Sequence, residues 1–147
     1  MEIVKPHKKI SREIGEKDIF KVMQDSLPMV AYCLNPPKNF RKILALAHPQ
    51  VEDTDPLRFF VTAEKEIIVN PEITNHTRHT VDSLEGCVTF PENANITIQR
   101  YNKCVVRYYT FDETDKLIEK EENVSGQRAK MFQHEIDHLN GIYIYET

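Results

Sequence analysis

The sequence predicts an α+β fold on three observations: a helix-spaced apolar run near the N-terminus, a series of short segments rich in strand formers, and a second helix close to the C-terminus. Helices and strands segregated in this way do not give the alternating order of a doubly wound sheet.

The first element spans Asp18 to Leu34, where Phe20, Met23, Leu27, Val30 and Leu34 recur at helical spacing and are expected to face the core. Pro28 is expected to kink or divide this helix, and Pro36-Pro37 to end it. Strands are expected at Ile43 to Ala47, Leu57 to Thr62, Ile67 to Val69, Ile96 to Ile98 and Cys104 to Thr110. Asp112 to Lys116 reads as a hairpin turn. The last helix runs from about Gly126 to Asn140, with Ser125 as its expected N-cap and Gly141 as its terminating glycine.

At 147 residues the chain fits a single domain, residues 1–147, because smaller pieces would have little core. Hydrophobic residues make up 40% and charged residues 29%, so the composition is that of an ordinary globular protein. A net charge of -4 with interspersed signs gives no basic footprint for nucleic acid. The start, Met1 to Lys9, carries no apolar leader, and no stretch approaches the ~20 apolar residues of a membrane span. Cys33, Cys87 and Cys104 are an odd number, and without an export signal reduced thiols in a cytoplasm are expected. The glycosylation-like triplets at Asn75, Asn95 and Asn123 carry no meaning without secretion.

The chemistry lies in the last helix. His134-Glu135-Ile136-Asp137-His138 has the H-E-x-x-H pattern, which on a helix sets two imidazoles on one face to grip one metal ion. Glu135 then stands where its carboxylate reaches a water molecule beside that ion. Ala129, Phe132, Ile136 and Leu139 form an apolar stripe, and the His pair points about 160° from its middle at roughly 100° per residue. Such a helix is packed on both sides. The downstream ligand of the common zinc proteases is missing, so a third ligand comes from elsewhere. Cys87 is the candidate: it follows Glu85-Gly86 at the entry to an expected strand, and Gly86 is read as supplying backbone freedom. Cys33 and Cys104 read as small buried apolar residues. His76 and His79 sit in a polar run and read as exposed.

Glu85-Gly86-Cys87 together with Gln133 to Gly141 resembles the second and third signature motifs of the peptide deformylases, which remove the formyl group from the N-terminal methionine of new polypeptides. Ile68 to Ile73 is similar to the segment that precedes the family's Cys motif, and the similarity spans roughly residues 43 to 144. The first motif of the family is a Gly-x-Gly-Leu-Ala-Ala-x-Gln loop. Here Leu46, Ala47 and Gln50 match, Ile43 and Ala45 replace the glycines, and His48 stands for an alanine that it either uses to touch substrate or simply packs.

The resemblance implies antiparallel or mixed sheets packed around a central HExxH helix. It implies Cys87, His134 and His138 as ligands of one divalent ion, natively iron(II), with zinc, nickel or cobalt as substitutes. It gives Glu135 the acid/base role and assigns the oxyanion to the Gln50 side chain and the Val88 N–H. Leu44, Ala45 and Leu46 would line the substrate groove, and Glu85, Asp137 and Arg100 would support the ligands or form ordinary salt bridges. The implied substrate is an N-formylmethionyl peptide, met by a monomer in the cytoplasm, with contact to the ribosome left open. The short C-terminal tail resembles trimmed members of the family, some encoded by viruses, which hints at a bacterial or virus-infected bacterial host. Two other readings stand beside this one: a metallo-amidase acting on a different acyl group, and a metal-holding but non-catalytic protein that binds nascent N-termini.

Overall fold

A five-stranded antiparallel sheet separates two helices in a computed structural model that describes residues 1–38, 40 and 42–145. Its strands are β1 (Ala45–Ala47), β2 (Phe59–Thr62), β3 (Ile67–His76), β6 (Lys103–Phe111) and β7 (Leu117–Ser125), in the order β1-β2-β3-β6-β7. A second, two-stranded antiparallel sheet pairs β4 (Thr80–Glu85) with β5 (Ile96–Tyr101). Helix α1 (Ile19–Leu34) packs on one face of the larger sheet and helix α2 (Gly126–Leu139) on the other. The α+β expectation holds. Among the described residues the only parallel pairing is the isolated bridge Arg12–Leu57, so both sheets are antiparallel.

Helix α1 departs from its sequence reading in two ways. Its buried face is Val22, Ser26, Met29 and Cys33, of which Val22, Met29 and Cys33 join Leu46, Phe59, Val61 and Val69 in one cluster. Phe20 and Leu27, from the expected stripe, are 77% and 73% exposed. The helix carries apolar residues on two faces, and the buried one is interrupted by Ser26, whose hydroxyl donates to Met23 O at 3.0 Å and so needs no outside partner. Pro28 neither divides nor ends the helix: it lies on the exposed side, where a missing N–H is least costly. The helix stops at Leu34, before Pro36-Pro37.

Strand β3 runs further than expected because Asn70-Pro71 makes a bulge and does not end it. Asn70 takes the left-handed conformation (φ 50°), and its amide bonds Ile14 at both N and O, at 2.9 and 3.0 Å. Pairing with β6 resumes at Glu72. The expected hairpin is present, with the Asp112 carboxylate accepting from the Thr114 and Lys116 amides.

Helix α2 sits between the two sheets. Ala129, Phe132, Ile136 and Leu139 pack on Phe60, Ile68, Val106 and Tyr108 of the larger sheet, each large side chain contributing about 1.5–3 kcal/mol. On its other side the Gln133 amide clamps β5, accepting from Tyr101 N at 2.8 Å and donating to Tyr101 O at 2.7 Å. Ser125 occupies the N-cap position but its hydroxyl makes no capping bond; the Gly126 N–H instead donates to Asn102 O. Gly141 follows the helix at φ 75°, with the Lys8 backbone lying where a side chain would go. Among the described residues no helix is long and apolar enough to cross a membrane.

Candidate metal centre

Two elements of the fold deliver three soft and borderline donors to one point. His134 and His138 stand one turn apart on α2, and Cys87 follows the end of β4. Their ligand atoms all lie within 4.8 Å of one another, with Cys87 Sγ 3.5 Å from His138 Nε2. Cys87 leaves a strand for a turn rather than entering one, which corrects its expected placement. Gly86 is needed for space and not for an unusual conformation: its φ is not positive, and a Cβ there would lie 2.2 Å from the Asn95 side-chain oxygen.

The hydrogen bonds on the far side of each ring fix which nitrogen faces inward. His138 Nδ1 donates to Ile142 O at 3.2 Å, and His134 Nδ1 donates to the Glu85 carboxylate at 2.7 Å. Both Nε2 atoms are therefore turned toward Cys87, as ligand imidazoles require. Burial drives the His138 pKa well down, so that ring is neutral. Burial also works against charge on His134, but its bonds to Cys87 and Glu85 prevail and raise it to about 10. A dication on the Nε2 side would take over the role of that proton.

Glu85 is the hub of the surrounding shell. Its Oε1 accepts from His134 and from Arg100 Nη2 (2.9 Å), and its Oε2 from Ser83 Oγ (2.7 Å) and Arg100 Nε (3.0 Å). Burial opposes its charge, yet these donors outweigh burial and hold the carboxyl at about 2. Arg100 spends its remaining arm on Asp137, at 2.7 Å.

Glu135 is the one carboxylate left out of this pairing; beside His138 the Tyr143 hydroxyl is also buried without a partner among the described residues. Glu135 is 5% exposed, and its Oε1 has no hydrogen-bond partner among the described residues. Burial pushes its carboxyl up to about 7. An orphaned carboxylate oxygen beside one thiol and two inward Nε2 atoms fits a catalytic divalent ion, which takes three protein ligands and leaves a position for water.

Gln50 is buried on the opposite wall. Its Oε1 accepts from Ala47 N at 2.9 Å, and its Nε2 donates to Thr89 Oγ1 at 3.0 Å and toward Cys87 Sγ at 3.6 Å. Val88, Leu44 and Ala45 line a cleft of about 440 Å³ that opens onto Gln50, Cys87, His134 and Glu135. Leu46 does not line it: consecutive strand residues face opposite ways, and Leu46 is fully buried in the α1 cluster. The cleft runs between β1, at the end of the larger sheet, and β4 of the smaller one.

Several contributors carry no sequence signal of their own. Thr89 bonds Gln50, Met131 and Phe40 line the cleft, and Tyr143 packs on the His138 ring at 4.9 Å between centroids. His48 is completely buried and touches no part of the cleft. With Asp25 and Glu52 it forms a second group close enough to share an ion. Leu57 N donates to His48 Nδ1, however, so its Nε2 carries the proton that Asp25 accepts, and Lys21 Nζ lies 3.0 Å from Asp25. His48 therefore has no lone pair left for a metal. His76 and His79 are exposed, and His76 stacks on Tyr101.

The family model described as polypeptide deformylase matches residues 4–147. A peptide deformylase of Thermotoga neapolitana is 37% identical over 106 residues, covering 70% of this chain and 60% of that protein. One of Brachyspira hyodysenteriae is 31% identical over 102 residues, covering 69% of this chain and 49% of that protein. The chain thus matches about half to three-fifths of the length of these curated relatives. Among solved structures, the peptide deformylase of Thermotoga maritima superposes with a TM-score of 0.76 at 29% identity, covering 93% of this chain and 86% of that one. The deformylase of a Vibrio parahaemolyticus bacteriophage, solved with actinonin, gives 0.75 at 32% identity, covering 98% of this chain and all of that one.

Proposed function

The chain belongs to the polypeptide deformylase family, a family of metalloenzymes, and from this premise we propose that it hydrolyses the N-formyl group from the N-terminal methionine of newly made polypeptides, releasing formate. The observation that carries this reading is the buried Glu135 Oε1, unpartnered among the described residues, beside the Cys87, His134 and His138 donors.

In the proposed scheme Cys87, His134 and His138 hold one divalent ion, iron(II) by family resemblance with zinc, nickel or cobalt as substitutes. When bound, the ion supplies a Lewis acid that makes a water molecule acidic near neutral pH and polarises the formyl carbonyl. Every other part falls to the chain. Glu135, with its carboxyl raised to about 7, accepts the proton of the attacking water and returns it to the departing amine. The Gln50 Nε2–H and the Val88 backbone N–H donate to the carbonyl oxygen as it gains charge. Glu85 keeps the His134 ring in the tautomer whose Nε2 is a ligand, and Arg100, itself anchored by Asp137, holds Glu85 in turn.

The peptide would enter as an added strand between β1 and β4, its backbone bonded to Leu44 and Ala45 and its methionine against Val88, Leu84 and Met131. The scheme places the enzyme in the cytoplasm as a monomer. The test is formate release from a formyl-Met peptide, with acetyl-Met and free-amine peptides in parallel. Release from the formyl peptide alone supports the reading. Preferential release of acetate assigns the site to a different amide, and no hydrolysis of any peptide by metal-loaded protein overturns it.

A further inference from the structure

The turn that presents Gln50 is tied to α1 by two residues that touch neither the cleft nor the metal ligands. It is a single 3-10 turn, His48–Gln50, set between β1 and an irregular segment. A short turn of this kind has little stiffness of its own, and Gln50 sits at its last position. His48 is fully buried within it. Its ring stacks on Phe59 at 4.6 Å, its Nδ1 accepts from Leu57 N at 2.8 Å, and its Nε2 donates to Asp25 on α1 at 2.9 Å. Both bonding positions of the ring are used, so its orientation is fixed on three sides. The alanine that the family pattern carries here has no atom able to make either bond.

Other restraints on the turn come from the N-terminal arm: Val4 N donates to Gln50 O at 2.9 Å, and His7 Nε2 bonds Pro49 O at 2.9 Å. These hold the backbone on its outer side. From the side of α1 the turn itself is held by the His48–Asp25 bond, with a longer contact of 3.8 Å from Lys21 to Glu52 just beyond it.

We propose that His48 and Asp25 are positioning residues for Gln50: by fixing the turn against α1 they aim the Gln50 amide at the developing oxyanion. The inference rests on the function proposed above. Asp25 is the handle for testing it, because it lies on the helix, away from the cleft. Gln50 serves the transition state more than the bound substrate, so loosening it lowers kcat and leaves KM nearly unchanged.

The experiment is a double-mutant cycle of Asp25→Ala and Gln50→Ala in the metal-loaded enzyme, assayed with a formyl-Met peptide. Asp25→Ala is expected to lower kcat about tenfold, as small misplacements of a catalytic group do, with KM within about twofold. In the Gln50→Ala background the same change is expected to cost less than about twofold, because the group it positions is gone. Asp25→Asn keeps an acceptor for the His48 Nε2–H and is expected to restore most of the lost kcat. Lys21→Ala, which removes the half-exposed Lys21 contacts to Asp25 and Glu52 and leaves the His48–Asp25 bond in place, is expected to leave kcat unchanged. Equal losses from Asp25→Ala in both backgrounds, or an unchanged kcat in the folded single variant, overturns the proposal. NMR of the Gln50 side-chain amide gives a reading independent of turnover. One sharp pair of NH₂ resonances in the parent that shifts or broadens in Asp25→Ala supports positioning, and identical spectra refute it even if the protein releases no formate. Absent formate release, by contrast, refutes the proposed function.

Discussion

Exchanging Glu85 for glutamine changes one atom and tests whether the network behind His134 supports metal binding or merely packs. Each Glu85 oxygen accepts two donors: His134 and Arg100 at Oε1, Ser83 and Arg100 at Oε2. An NH₂ group in place of either oxygen faces two donors, so no rotamer of glutamine satisfies the site. With its oxygen toward Oε2, the variant turns the NH₂ on His134 Nδ1, which relieves the clash by becoming an acceptor. Its proton then moves to Nε2, the atom that faces Cys87, and the ligand lone pair is lost. With its oxygen toward Oε1, the Arg100 Nε and Ser83 lose their acceptor. Glu85 and Arg100 side chains are only 10% and 8% exposed, and breaking such a buried pair costs 3–5 kcal/mol. Asp137 still neutralises Arg100, so we expect the lower end, about 3 kcal/mol, which for a domain of this length is roughly 6–12 °C in Tm. Metal affinity is expected to fall about 10–100-fold, the usual cost of losing such a partner. Chelator competition measures the affinity and thermal unfolding of the metal-free protein measures the stability. The carboxyl is held at about 2 against an ordinary 4.5. Its stabilisation is therefore present above pH 4.5 and lost as pH falls toward 2, and the glutamine variant should lack that part of the acid transition. A folded Glu85→Gln protein with parental metal affinity would refute the supporting role.

Cys87→Ala is expected to abolish stoichiometric metal binding, whereas Cys33→Ala and Cys104→Ala leave it intact; metal analysis after gel filtration decides, and a full equivalent bound to Cys87→Ala removes it from the ligand set. Glu135→Gln keeps the shape but accepts no proton, so metal content should hold while turnover falls at least about 100-fold, and near-parental turnover would rule out the acid/base role. Ile43 and Ala45, which stand where the family motif has glycines, both line the cleft, and replacing both with glycine is expected to lower KM with little change in kcat. Ile43 is also buried in the α1 cluster, so this double change should cost roughly 3–6 kcal/mol of stability, and an unchanged or raised KM in the folded variant would show that the two side chains are accommodated.

What the sequence disclosed tracks how local the determining interaction is. Helix α2 was legible because its apolar stripe and its His pair are both periodic, and His138, opposite the stripe, is indeed buried, with Gln133 and Glu135 buried on the flanks between. Helix α1 was legible as a helix but not in orientation. Phe20, Leu27 and Leu34 make a better stripe than Val22, Ser26 and Met29, and only the sheet beneath selects between them. Strand β7 was missed because Glu119, Lys120 and Glu121 are poor strand formers, and it forms through unbroken pairing with β6 from Lys103–Ser125 to Phe111–Leu117. β4 was hidden in the same way by Asp82 and Glu85, poor strand formers whose partners lie on β5. Around the candidate metal centre the motif residues stood out, while Thr89 and Tyr143 did not, because what a hydroxyl or a ring touches depends on what the fold sets beside it.

The distribution of satisfied and unsatisfied polar groups argues for a catalytic centre over a structural one. A buried charge is tolerated when it is paired and hydrogen-bonded. Glu85, Arg100 and Asp137 meet that condition completely, as does His48 through Asp25 and Leu57 N. A fold able to satisfy so many buried groups within one shell had partners to spare for Glu135. It leaves that carboxylate oxygen bare, and burial raises its pKa to about 7, where a group both takes and gives a proton under ordinary conditions. A purely structural ion needs no such group beside it, since four protein ligands close the site. Strain of this kind persists where chemistry requires it: among the described residues the Ser11 and Tyr143 hydroxyls are also without a partner, but Glu135 is the one carboxylate left bare, with Gln50 held ready across the cleft.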